Sequence, residues 1–283
     1  MKEPLWRRLT VVGPGLIGGS IARGVKRRRL AREVVVVTRH AAAIRSAVDV
    51  GAADAGTTDL AAGVAGAELV VLCAPVGALP GLIHAAWPHL APGAVLTDAG
   101  SVKRSVVDAA LACPVRQGVS FVGGHPMAGS ERSGIGASDP DLFEGRLALL
   151  TPDPRTPPAA TTTVTALWEG LGSHVRTLSA EAHDRLVAQI SHLPHLIAYA
   201  LVASVDGEAV PLAGRGFTDT TRIAASAEAL WADIFRQNRG SLLHALERYE
   251  AVLARWRDLV ARGDFASLEA ELGRAREVRE KLG

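Results

Sequence analysis

Leu9-Thr-Val-Val-Gly13-Pro-Gly-Leu-Ile-Gly18-Gly-Ser20 passes from an apolar, β-branched segment directly into a glycine turn. Ile21-Ala-Arg-Gly-Val-Lys26 follows with helical spacing, and Glu33-Val-Val-Val-Val-Thr38 is a second strand-like run. Strand, turn, helix and strand thus fall within about 30 residues, the setting in which G-x-G-x-x-G holds a dinucleotide. Gly13 permits the sharp turn, Gly15 lets backbone approach a pyrophosphate, and Gly18 lets the helix lie close to the strand. Leu16 and Ile17 open that helix, whose free N–H groups would face the phosphates.

The end of the second strand selects the nucleotide. Thr38-Arg39-His40 stands there, with no carboxylate about 20 residues past the glycines to take the ribose hydroxyls of NAD. A guanidinium beside a hydroxyl suits a 2′-phosphate, so NADP is the expected cofactor and NAD the second candidate.

Strand and helix patterns keep alternating. Glu68–Cys73 reads as a buried strand ending in the turn Ala74-Pro75-Val76, and Ala94–Thr97 as a strand ending in Asp98-Ala-Gly-Ser-Val-Lys103. Phe121-Val122 leads into the loop Gly123-Gly-His-Pro-Met-Ala-Gly-Ser-Glu-Arg-Ser-Gly134. A helix over Ala159–Leu171 and a strand over His174–Leu178 would finish the sheet. This pattern predicts a Rossmann-like, doubly wound α/β domain over residues 1–178, with a parallel sheet covered on both faces. In such sheets ligands sit beyond the carboxyl ends of the strands. The glycine turn and the segments at 74–76, 98–103 and 123–134 should therefore gather on one rim, His125 among them.

From Ser179 no strand pattern appears, and residues 179–283 read as an all-helical domain. Ala180–Val205 is helical and contains Ser191-His-Leu-Pro-His195, with a kink expected at Pro194. Ser226–Gly263 reads as one long helix, or two joined near Gly240, and Asp264 as the cap of a last helix. Leu242, Leu246, Tyr249, Leu253, Trp256 and Val260 form an apolar stripe. With no sheet of its own to cover, it needs either the N-terminal domain or a second copy of the chain, of which a homodimer is expected.

The bulk numbers set bounds. Of 283 residues 48% are hydrophobic, enough for a sizeable core. The 31 basic and 29 acidic residues nearly balance, which argues against a dedicated nucleic-acid or membrane binder. Two cysteines, Cys73 and Cys113, make neither a disulfide framework nor a zinc site. His192 and His195 share a helical face but lack a carboxylate or cysteine at ligand spacing, so no metal is expected. With no signal-like N-terminus and no window of about 20 uncharged apolar residues, the expected location is the cytoplasm.

Five segments together resemble the prephenate/arogenate dehydrogenase family of tyrosine biosynthesis: Gly13–Ser20, Thr97–Lys103, Gly123–Glu131, Ser191–His195 and Gly216–Ser226. They span nearly the whole chain, and no appended mutase or regulatory domain is expected within it. Pro14 and Arg39 are modest departures. The resemblance implies hydride transfer from a cyclohexadienyl alcohol to NAD(P), with the ring carboxylate leaving as CO₂. It implies His125 as the base for the 4-hydroxyl proton, suited by an imidazole pKa near neutrality. Ser101 would hydrogen-bond near the same hydroxyl and the cofactor, against a plainer role as N-cap of a helix beginning at Val102. Arg222 would grip a substrate carboxylate, against an ion pair with Asp219 on one helical face. His195 would line the substrate pocket, and Ser130 and Glu131 would stand beside it. Glu131 and Asp219 are the candidates for reading the side chain that distinguishes prephenate from arogenate, with prephenate the expected substrate. A β-hydroxyacid dehydrogenase on the same plan would want a lysine in the helical domain, and none occurs between Ser179 and Glu280. A non-catalytic NADP sensor would keep the glycine turn without needing Ser101, His125 and Arg222 together.

Overall fold

A computed structural model describes residues 3–130 and 132–282. The sheet domain runs β1 Trp6–Val12, α1 Leu16–Arg27, β2 Ala31–Val37, α2 Ala41–Asp49, β3 Ala55–Thr57, α3 Leu60–Val64, β4 Leu69–Leu72, α4 Leu79–Ala86, β5 Val95–Asp98, α5 Arg104–Leu111, β6 Ser120–Pro126, β7 Leu147–Thr151, α6 Pro158–Gly170 and β8 His174–Thr177. Eight strands form one sheet in the order β3-β2-β1-β4-β5-β6-β7-β8. The order reverses between β1 and β4, so the crevice beyond their carboxyl ends is where a nucleotide is received.

The sheet is parallel through β6 and then departs from the expectation. β7 pairs antiparallel to β6, with His125 opposite Leu149, and β8 is parallel to β7. Residues 127–146 form no α-helix among the described residues, and the chain returns beside β6 in the opposite direction, where a parallel neighbour would need a crossover to the other end of the sheet. The strand interiors are buried on both faces. Leu9, Val11, Val34, Val36, Leu69 and Val71 face one apolar cluster with Trp168; Val70, Leu72 and Leu96 face the other with Ile83 and Val106. The missed elements β3 and α3 are three and five residues long, too short for a periodic signal.

The helical part comprises α7 Ala180–Val187, α8 Leu193–Ala203, α9 Arg215–Thr221, α10 Glu228–Gln237, α11 Arg239–Arg262 and α12 Phe265–Glu280. Ser179 caps α7 and Asp264 caps α12 through their side chains. A π-helical turn, Ala188–His192, joins α7 to α8. It contains Ile190, the residue whose carbonyl the ring of Pro194 would strike in a regular helix. The two helices expected to join near Gly240 meet at Asn238, whose amide is committed to partners on α7 and the π-helical turn. The continuous helical run Ala180–Ala203 is long and apolar enough by composition to cross a membrane, contrary to the window count above. Its charges lie in the first two turns, and there His183 and Asp184 are buried.

The apolar stripe is only partly covered. Leu242, Ala245, Leu246 and Tyr249 pack against Ala188 and Leu193, whereas Leu253 and Val260 are exposed; Ile190, Leu212 and Phe265 elsewhere in the helical part are also open.

Candidate active site

The glycine turn has the geometry that its sequence implied. Gly13 has φ +88°, and a Cβ there would overlap the Cys73 carbonyl oxygen from β4. A Cβ on Gly18 would strike the Gly13 carbonyl oxygen, so α1 lies tight against the strand end. At Gly15 a Cβ would meet nothing within 4 Å: this face of the turn is open. Gly15 is also the N-cap of α1, with no side-chain cap and no acidic residue in the first turn, which leaves donors and positive helix potential for an anion. Ala74 and the exposed Pro75 follow β4 on the same rim, and at the end of β2 stand half-buried Thr38 and exposed Arg39.

The opening of the Gly123–Gly134 stretch is strand, not loop. β6 continues to Pro126, so His125 is held by the sheet and is buried. Its Nδ1 stands 2.9 Å from Nε2 of His183 on α7. The Nδ1 of His183 in turn lies 2.8 Å from Oδ1 of Asp184. Asp184 also accepts the backbone N–H of Lys103 at 2.8 Å and of Arg104 at 2.9 Å. Asp184 therefore does at α5 what was considered for Ser101: the helix begins at Arg104, not Val102, and Ser101 does not cap it.

These bonds fix the protons. An ionised carboxylate only accepts, so His183 donates Nδ1–H to Asp184 and presents its Nε2 lone pair to His125. His125 donates Nδ1–H to that lone pair, and its own Nε2 is left unprotonated. Burial, then His183, Lys103 and His192, hold His125 well below the usual imidazole range. Burial also lowers His183, opposed by its bond to Asp184. Both rings are neutral at working pH.

Beneath the turn that carries Ser101 lies a fully buried ion pair, Lys103 with Asp98. Asp98 also accepts the N–H of Gly100 and of Gly124, and Lys103 Nζ donates to the Gly124 carbonyl at 2.7 Å. The pair clamps the end of β5 to β6 immediately before His125. Burial lowers the Lys103 pKa, while Asp98 and Asp184 oppose that shift.

On the helical side, Asn238 Nδ2 donates to the Asp184 carbonyl and faces His192 Nδ1 at 3.1 Å. His192 is fully buried, and burial pushes it down to about 4. His195 donates Nδ1–H to the Ser191 carbonyl, leaving Nε2 as an acceptor, and its ring stacks on Trp231 at 3.4 Å between centroids. Arg222 begins the short 3-10 turn Arg222–Ala225 and is close enough to His195 to disfavour its protonation, after the larger effect of burial. Among the described residues no ion pair joins Arg222 to Asp219, and both are exposed. Ser130 is exposed and, among the described residues, accepts the Arg132 N–H. Glu131 lies outside the described residues. The structure thus gathers His125 with the turn of Ser101 and groups His195 with Arg222; it does not bring Ser130 or Asp219 into contact with either group.

His183, Asp184, Asp98, Lys103 and Asn238 were not singled out as site residues from sequence. Asp98 and Lys103 lay inside a quoted motif, and only their joint burial shows that they pair. His183-Asp184 reads as an ordinary polar step on an amphipathic helix.

A Rossmann-like sheet with an open glycine turn, a buried neutral histidine on its rim and a helical domain closing over it defines an NAD(P)-dependent dehydrogenase. Residues 21–177 match the family model for the prephenate dehydrogenase nucleotide-binding domain, and residues 179–274 the model for the prephenate dehydrogenase dimerization domain. The chain belongs to the prephenate dehydrogenase family. It is 35% identical to a cyclohexadienyl dehydrogenase of Zymomonas mobilis over 92% of this chain and 90% of that protein. It superposes on the prephenate dehydrogenase of Aquifex aeolicus in complex with hydroxyphenyl propionate and NAD+ with a TM-score of 0.90, at 32% identity, covering 98% of each chain. An arogenate dehydrogenase from Synechocystis aligns at TM-score 0.81 and 31% identity, over 98% of this chain and 100% of that one.

Proposed function

We propose that this enzyme oxidises prephenate with NADP, releasing CO₂ and 4-hydroxyphenylpyruvate. The observation that carries the reading is the free Nε2 of a buried, neutral His125 on the rim of a dinucleotide-binding sheet. Residues 1–178 are taken as the cofactor-binding unit and residues 179–283 as the helical unit.

The residues present fit a nicotinamide cofactor. Gly13, Gly15 and Gly18 with Leu16 and Ile17 would hold its pyrophosphate at the uncapped end of α1, and Thr38 and Arg39 its ribose. Ala74, Pro75 and Ser101 would border it on the neighbouring strand ends. When bound, the cofactor supplies the hydride acceptor. His125 Nε2 removes the 4-hydroxyl proton, and the half-buried Ser101 hydroxyl orients that group. Arg222, exposed and without an ion pair among the described residues, is available to grip a carboxylate in two hydrogen bonds. His195 Nε2 would accept a hydrogen bond from the substrate beside Arg222. Loss of the ring carboxylate leaves an aromatic product, which drives the reaction forward.

Arg39 supports NADP over NAD: it is exposed, follows β2 by two residues and makes no ion pair among the described residues. Arogenate is the second reading, favoured by the similarity to the cyclohexadienyl and arogenate dehydrogenases; Asp219 is the described acidic residue that could meet its ammonium. The exposed apolar residues Ile190, Leu253, Val260 and Phe265 support a homodimer through the helical unit, in keeping with the match to a dimerization domain. Two free cysteines suit a cytoplasmic setting.

The test is cofactor reduction with prephenate and with arogenate, each with NAD and NADP. Turnover fastest with prephenate and NADP supports the proposal. Faster arogenate turnover overturns the substrate, faster NAD turnover overturns the role of Arg39, and no turnover with any pair overturns the enzymatic reading.

A further inference from the structure

His183 stands directly behind His125 with no exposed surface, and Asp184 beside it is almost as deeply buried. Neither touches the rim where substrate binds, yet both are held with unusual care for residues of a helix start. Asp184 accepts three hydrogen bonds, from His183 Nδ1 and from the N–H groups of Lys103 and Arg104. Its own carbonyl receives the Asn238 amide. The rings of His125 and His183 meet edge to face, with centroids 5.1 Å apart.

We propose that His183 and Asp184 form a proton relay behind His125, in which the positive charge created when His125 takes the substrate proton comes to rest on His183 beside Asp184. This rests on the reading of His125 as the base. In the step, the substrate O–H bond breaks and an N–H bond forms at His125 Nε2. The Nδ1–H bond of His125 breaks and an N–H bond forms at His183 Nε2. His125 emerges neutral in its other tautomer, and His183 becomes an imidazolium whose Nδ1–H faces Asp184. The hydride and its electron pair go to the nicotinamide that the dehydrogenase activity already supplies. After product leaves, His183 returns its proton to His125 Nδ1, and the Nε2 proton passes to water.

The surrounding charges favour this direction. A proton held on His125 is opposed by Lys103 and by the neighbouring His192. On His183 it is opposed by Lys103 but attracted by Asp184 at 2.8 Å and by Asp98. Asp184 is also the cap of α5, so docking of α7 on the sheet domain and orientation of the base are one event. His183 and Asp184 are positioning residues: they act through His125 and need not touch substrate.

The experiment compares His183→Asn, Asp184→Asn and His125→Asn with the unmodified enzyme, measuring kcat, KM, cofactor affinity and the pH dependence of kcat/KM. For His183→Asn and Asp184→Asn the relay predicts kcat lower by about tenfold or more, with KM and cofactor affinity within about threefold. It also predicts an acidic limb of kcat/KM displaced to lower pH in both. Asp184→Asn removes the anion that favours the proton on His183, and His183→Asn removes the ring that carries it there, so the proton must stay on His125, where burial and Lys103 oppose it. A defect that is merely structural lowers activity without moving that limb. Nitrogen NMR of the imidazoles in the unmodified enzyme should show His125 protonated at Nδ1. If Asp184→Asn fails to fold for want of the α5 cap, His183→Asn, which leaves that cap intact, decides. His125→Asn inactive while both other variants keep kcat and the limb overturns the relay alone, as does an Nε2-protonated His125. His125→Asn fully active overturns the base assignment and the relay with it.

Discussion

His125 Nδ1 and His183 Nε2 lie 2.9 Å apart across 58 residues of sequence, one at the end of β6 and the other in the first helix of the all-helical part. The contact joins the sheet domain to the helical domain at the point where chemistry would occur. It also decides which nitrogen of His125 faces the rim.

Arg222 offers a test of substrate binding separate from proton transfer. Its guanidinium is exposed and unpaired among the described residues and lies near His195. A charge-assisted hydrogen bond contributes about 1.5–3 kcal/mol, so Arg222→Ala should raise KM by roughly tenfold to a hundredfold with kcat little changed. An unaltered KM would remove Arg222 from the substrate site.

The glycine turn predicts two opposite outcomes from one methyl group. Gly13→Ala meets both a positive φ and the Cys73 carbonyl, and should cost about 1–3 kcal/mol of stability or more. Gly15→Ala meets no atom within 4 Å, so its thermal unfolding should stay within about 0.5 kcal/mol of the parent. The added methyl would nevertheless stand where the pyrophosphate approaches, weakening cofactor binding by about tenfold or more. A Gly15→Ala protein that binds cofactor normally would contradict the placement.

Arg39→Ala tests the nucleotide preference. Removal of one guanidinium from a 2′-phosphate should lower kcat/KM for NADP by about tenfold and leave that for NAD within about twofold. Equal losses with both cofactors would mean that Arg39 contacts the shared part of the nucleotide or supports the fold.

Stability should fall as pH drops below neutrality. His125, His183 and His192 are buried and held below the ordinary imidazole value, first by burial in each case. Below that value the unfolded chain binds protons that the folded chain does not, so stability is full above about 6.5 and declines as pH falls toward the folded values. For His192 the window runs from 6.5 down to about 4, at roughly 1.4 kcal/mol per unit. Thermal unfolding followed between these limits should show a falling midpoint, with a shallower slope in His192→Asn. Equal slopes in the two proteins would mean that His192 is not the buried neutral group described.

The alternation of strands and helices around the nucleotide crevice was legible because its signals are local: apolar β-branched runs, a glycine turn between them and helical spacing in the gaps. His125 could be placed on the rim for the same reason, since its stretch follows a strand. The antiparallel β7 was not legible, because Leu147–Thr151 is an apolar run that fits either direction. The partners of His125 were hidden for a different reason. His183 and Asp184 acquire meaning only when α7 docks against α5 and β6, and Lys103 looks like a solvated turn residue until Asp98 is found buried against it. Asn238 ends α10 without glycine or proline because its side chain is held by α7 and the π-helical turn, a tertiary cause that no local pattern carries.

The central claim is that His125 Nε2 takes the substrate hydroxyl proton, and His125→Asn tests it most directly. With prephenate and NADP, the predicted result is a kcat lower by about 10²–10⁴ with cofactor affinity and KM within a few-fold of the parent. A His125→Asn enzyme that turns over prephenate at the parental rate would contradict the account.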